Sequence, residues 1–138
     1  MPIPLLFATL MLLCLPLSLS AASPFPLMQT TPHFMVTAQP LKRPISLNRI
    51  HAWQVHITDN VGKNVEGLHF RVQGGMPAHR HGFPTQPTLI EETAPGEYLI
   101  DGMAFNMFGQ WQLELINQNL NPPFHITFDF AITHENSQ

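Results

Sequence analysis

The sequence predicts an all-β fold: an immunoglobulin-like antiparallel β-sandwich of six to seven strands, preceded by a signal peptide. Three observations carry this. From Ile50 onwards apolar and polar residues alternate with period two. Turn signals separate the alternating runs at roughly the 8–12-residue spacing of small sandwiches. After the amino-terminal run, no segment shows the 3.6-residue period of an amphipathic helix.

Taken in chain order, Leu5 to Leu19 is a dense apolar run that breaks into Ser20-Ala21-Ala22-Ser23. This reads as a secretory core followed by small residues suited to cleavage after Ala22, although no basic residue precedes it. The run is shorter than the roughly 20 residues that span a bilayer, and Pro16 interrupts it. Leu13 is too bulky to precede a lipidated Cys14, so cleavage would leave a mature chain without cysteine. Residues 1–22 are thus assigned to the signal. Residues 23–48 form an extended lead-in whose five prolines oppose regular pairing, with His33 to Thr37 as one short edge strand.

The sandwich domain is expected over 49–134, with 135–138 as a tail. Trp53, Val55 and Ile57 alternate in a first strand, 50–58; Leu68, Phe70 and Val72 alternate in a second, 66–73, which Gly74-Gly75 should end. Short runs at 88–91 and 97–101 follow, then Trp111, Leu113 and Leu115 in 110–117. Phe124, Ile126, Phe128, Phe130 and Ile132 alternate most cleanly, in 124–132.

Composition narrows the function. The chain has 138 residues, enough for one domain, and 11% are charged. With 44% hydrophobic residues it is not a disordered polymer, and a net charge of −3 supplies no basic field for nucleic acid. A single cysteine excludes an internal disulfide framework and cysteine-rich zinc sites. No mature-chain cysteine nucleophile, Gly-x-Ser-x-Gly elbow or phosphate loop is present, so no enzymatic activity is expected. Glu91 and Glu92 are adjacent, point to opposite faces of a strand, and read as a solvated strand end.

The unusual residues concentrate in Gly74-Gly75-Met76-Pro77-Ala78-His79-Arg80-His81-Gly82-Phe83-Pro84-Thr85-Gln86-Pro87. In an extended loop His79 and His81 would point the same way and converge on one ion, with the Met76 thioether nearby. Mixed methionine and histidine donors suit copper better than zinc or hard cations. Counting simple strand reversals puts this loop at the same end as Asp101–Gly109, which holds Met103 and Met107. His51 and His134 fall at that end too. The competing reading is solvent-exposed histidine filler with methionines capping the core.

These residues resemble a known family. Trp53, the run Gly74-Gly75-Met76-Pro77-Ala78-His79-x-His81-Gly82-x-Pro84-Thr85-x-Pro87, then Gly96-x-Tyr98-x-Ile100-x-Gly102-Met103-x-Phe105 and Met107-x-Gly109-x-Trp111 together resemble the YtkA-like domains, which are related to FixH. The match spans roughly residues 50 to 117. The resemblance implies a small secreted or membrane-anchored β-sandwich module, with some members found beside copper-handling or oxidase-assembly proteins. It places the Met-Pro-x-His-x-His-Gly motif on Met76, Pro77, His79, His81 and Gly82, and the second methionine on Met107. Phe108 stands where proline is usual and Asn106 where a histidine is common, which removes one potential ligand. The implied ligand set is Met107, His79 and His81 with Met76 as fourth; Met103 and His51 are secondary.

The expectation is therefore a periplasmic or extracellular binding module holding copper at one pole, for metal handling or respiratory-complex assembly. The alternative is a metal-free adaptor that docks onto an envelope or membrane protein complex through Phe83, Phe105 and Phe108.

Overall fold

The computed structural model describes residues 24–136 apart from residue 119, so the expected signal segment lies outside the described residues. Nine strands are present among them: β1 (Leu27–Thr30), β2 (Phe34–Pro40), β3 (Ile50–Asp59), β4 (Arg71–Met76), β5 (His81–Gly82), β6 (Thr88–Ala94), β7 (Glu97–Ala104), β8 (Gly109–Asn117) and β9 (Phe124–Ile132). They form two antiparallel sheets, ordered β1-β2-β3-β7-β6 and β5-β4-β8-β9. This is the expected sandwich.

Period-two patterning explains the layers. Trp53, Val55 and Ile57 of β3 are fully buried, as are Leu113 and Leu115 of β8, while their neighbours in sequence are more exposed, Ile116 alone among them being buried too. Burial in β9 follows the same alternation over its whole length. The two inner faces meet in one aromatic core: Trp53 lies 5.7 Å from Phe130, and Phe105 lies 5.1 Å from Trp111 in an edge-to-face pair. This core is built from residues between Phe25 and Ile132, so the two sheets close on each other from residue 24 onwards.

Three elements differ from the sequence expectation. The lead-in is not separate from the sandwich. The strand expected at His33 to Thr37 is present as β2, though interior rather than at an edge; β1 and β2 extend the first sheet, with Val36 pairing Ile57 and Ala38 pairing Val55. Its prolines sit at Pro26, before β1, and at Pro32, between the strands. Pro40 ends β2, where a missing N–H costs little. The second strand begins at Arg71 rather than at residue 66. Leu68 and Phe70 are buried, but the backbone there is used elsewhere: the Leu68 N–H donates to the Tyr98 hydroxyl at 3.1 Å, and the His69 carbonyl accepts from Asn117 Nδ2. That strand also runs through Gly74-Gly75 instead of ending there. A Cβ on Gly74 would lie 2.0 Å from the Gln112 carbonyl oxygen, so the glycines permit a close strand approach.

The strand directions place one set of connections at one end. Residues 24–26, 41–49, 77–87, 105–108 and 133–136 share the pole where β3 and β8 begin and β4, β7 and β9 finish.

Candidate metal pole

Met76 closes β4 and is buried among the core residues, with its methyl carbon against Gly109. The chain then makes a single 3₁₀ turn, Pro77–His79, and reverses at Arg80, which adopts the left-handed conformation at φ 56°. His81 and Gly82 return as β5, with Met76 opposite His81 and Gly75 opposite Gly82. The loop is thus a tight hairpin, not the extended segment the His-x-His spacing suggested. The two imidazoles still come together, with ring centroids 5.9 Å apart, because the turn folds His79 back beside His81.

His81 is half-buried and meets Trp111 edge-on, with centroids 5.9 Å apart and an interplanar angle of 68°. Phe83 stacks on the same indole, 5.7 Å away and 4° from parallel. The Trp111 indole N–H donates to the Met107 carbonyl at 3.2 Å, fixing the turn that carries Met107. Trp111 is therefore the platform joining the loop of the histidines to that of the second methionine. The sequence signalled it as a strand residue and as part of the Met107-x-Gly109-x-Trp111 motif; its place as a platform depends on the hairpin of its own sheet and on Phe83 and Phe105.

The chemistry of His81 is set by its other nitrogen. Nδ1 lies 2.9 Å from the Gly82 carbonyl oxygen, which can only accept, so Nδ1 carries the proton. In the neutral ring Nε2 then holds a lone pair, and Nε2 is buried with no hydrogen-bonding partner. Histidines that bind metals commonly have this arrangement, one nitrogen donating to a carbonyl and the other presented to the ion. The Trp53 indole nitrogen is the other buried side-chain polar atom without a partner among the described residues; it sits deep among Phe25, Phe105 and Phe130.

The remaining candidates separate. Met107 is partly exposed at the pole, and His79 is exposed. Met103 is fully buried in β7, opposite His51 across the β3–β7 ladder, not on the loop expected to hold it. His51 donates from Nε2 to the Ser46 carbonyl at 2.9 Å, and its ring lies beside Phe105. That phenylalanine stands between it and Trp111. Among the described residues no group of three or more His, Cys, Asp or Glu could hold a metal. A site at this pole would therefore have to draw on methionine sulfur.

The phenylalanines also part company. Phe105 is fully buried, Phe83 is half-buried on Trp111, and only Phe108, 3.9 Å from His134 between ring centroids, is exposed. The expected phenylalanine docking cluster is mostly core.

At the opposite end a carboxylate does structural work. Glu92 accepts from the Gly67 and Gly96 N–H groups at 2.9 and 2.8 Å, and these bonds hold its carboxyl below the usual range. Tyr98 beside it is fully buried and donates to the Val65 carbonyl at 2.6 Å; burial raises its hydroxyl pKa. Glu92 is thus an exposed strand-end carboxylate, as expected, that also clamps the Gly67 and Gly96 backbone beside the buried tyrosine.

Comparison with known families settles what kind of module this is. The family model of the YtkA-like domains matches residues 35–115. This chain belongs to the YtkA-like family. The matched region takes in β2 through most of β8, including the whole histidine loop and Trp111. None of the curated proteins and none of the solved structures compared with it matches the chain. Among the described residues of this YtkA-like protein, no helix is long and apolar enough to cross a membrane.

Proposed function

We propose that this YtkA-like domain is an exported binding module, outside the cytoplasm, that takes up copper at its histidine pole and does no covalent chemistry. One observation carries the reading: the Nε2 lone pair of His81, oriented by the Nδ1 bond to Gly82 and without a partner. The donors around it fit a soft ion. Met76 is its cross-strand neighbour and His79 its ring neighbour, and the platform under His81 also holds the Met107 turn. Thioether and imidazole together, with no thiolate or carboxylate, favour Cu(I) over zinc or hard cations. His81 and His79 would hold the ion through imidazole nitrogen, and Met107 and Met76 through sulfur. The apolar run before Ser23 supports export, and a role in metal handling or in assembling a respiratory complex fits such a site.

Titration with Cu(I) against a competing chelator tests this. A defined 1:1 affinity is expected, weakened at least about ten-fold in His81→Gln and in Met107→Leu. Unchanged affinity in both variants would overturn the assignment. The metal-free adaptor reading retains exposed Met107 and Phe108 as a contact surface but lacks the support of Phe105, which is core.

A further inference from the structure

The charges of this domain are sorted along its long axis. Lys42, Arg43, Arg49 and Arg80, four of the six Lys and Arg residues, sit on connections at the histidine pole. Asp59, Glu66, Glu92 and Glu97 gather at the other end, around the Gly96 turn. Towards the basic end Asp101 lines a groove with Lys42, Glu114 lines a depression with Arg80, and Glu135 lies on the terminal segment.

The basic end also carries two exposed aliphatic side chains side by side, whereas exposed Val61 and Ile90 stand apart from them. Leu41 and Ile50 are 52% and 66% exposed and flank one shallow groove with Lys42 and His51. The segment bearing them is held rigidly. Ile45 is fully buried, and its N–H donates to the Asn136 carbonyl at 3.0 Å. The Asn48 N–H donates to the Phe105 carbonyl at 2.8 Å, and the Leu41 N–H to the Ala52 carbonyl at 2.9 Å. Little ordering entropy remains to be lost when this surface meets a partner.

The described chain enters at this same pole. β1 starts beside the end of β2, and the Arg43 guanidinium lies 5.4 Å over the Phe25 ring. The described chain therefore enters the domain beside its basic 41–50 surface.

We infer that the 41–50 surface is a contact face for an anionic phospholipid bilayer, holding the domain with its histidine pole towards the membrane. Lys42, Arg43 and Arg49 supply attraction to lipid phosphates, while Leu41 and Ile50 bury their side chains at the headgroup boundary. The acidic far end is repelled by the same surface, so charge sets orientation as well as affinity. A bilayer accounts for the pairing of basic and aliphatic residues on one rigidly held segment.

Flotation of residues 24–138 with phosphatidylcholine vesicles, with and without phosphatidylglycerol, tests the inference. Binding is expected only with the anionic lipid and should weaken as salt rises. At about five-fold per basic residue, Lys42→Gln/Arg49→Gln should lower partitioning about 25-fold. Ile50→Asp should also weaken it, whereas Lys63→Gln at the far end should not. His79→Ala should leave vesicle binding intact whatever it does to copper affinity, so this inference and the copper reading fail separately. Equal binding to neutral vesicles, an unaffected Lys42→Gln/Arg49→Gln variant, or retention on polyglutamate without vesicle binding would each overturn it.

Discussion

Met76 and His81 stand opposite one another in the two-rung ladder of β4 and β5, so their side chains leave the same face of the sheet. One is buried against Gly109 and the other rests on Trp111. A thioether and an imidazole lone pair are thereby held as neighbours by backbone pairing, without any contact between the side chains being required.

Met76→Leu separates packing from ligation. The swap nearly conserves volume, so stability should change by less than about 1.5 kcal/mol in chemical denaturation. If sulfur is a ligand, Cu(I) affinity should fall nonetheless. Unchanged affinity would remove Met76 from the ligand set.

Gly75→Ala should disrupt the histidine hairpin. Gly75 has φ of 150°, and an added Cβ would lie 2.2 Å from the His81 carbonyl oxygen. Both are backbone constraints, so the strand must shift, at a cost of at least about 1–3 kcal/mol. Thermal unfolding reports the loss, and the His81 ring resonances should move away from their shift beside the Trp111 indole.

Tyr98→Phe tests the clamp at the other end. It leaves the Val65 carbonyl and the Leu68 N–H without their hydroxyl partner. A destabilisation of about 1–3 kcal/mol is expected in urea unfolding, with no change in copper affinity.

Glu92→Gln tests the acid limb of stability. The folded carboxyl is held below its ordinary value of 4.5, chiefly by the Gly67 N–H and then by Gly96. A depressed carboxyl stabilises the fold above its unfolded pKa, and that contribution is lost as pH falls through the folded pKa. Wild type should therefore lose stability below about pH 4.5 more steeply than Glu92→Gln, the two curves converging in acid. Parallel melting curves from pH 7 to pH 3 would contradict the linkage.

Much of the core was legible in the residues. The alternation in Trp53-Val55-Ile57, in Trp111-Leu113-Leu115 and in the phenylalanines of β9 identifies inward faces, because a half-buried strand repeats every second residue. The strand count fell short where local signals misled. Prolines disguised β1 and hid that the short strand expected at His33 to Thr37 is the interior strand β2, and Gly74-Gly75 imitated a terminus while serving as a site of close strand approach.

For the candidate site, the sequence alone determined which histidines and methionines lie towards one end of the sandwich, since up–down order survives any crossover between sheets. Tertiary structure decided which of them share a neighbourhood. It put His79 beside His81 through a left-handed turn at Arg80 and sent Met103 into the core. It also left one His81 nitrogen without a partner. Those outcomes depend on which backbone carbonyls and aromatic rings arrive from distant strands, and spacing along one chain carries no record of that.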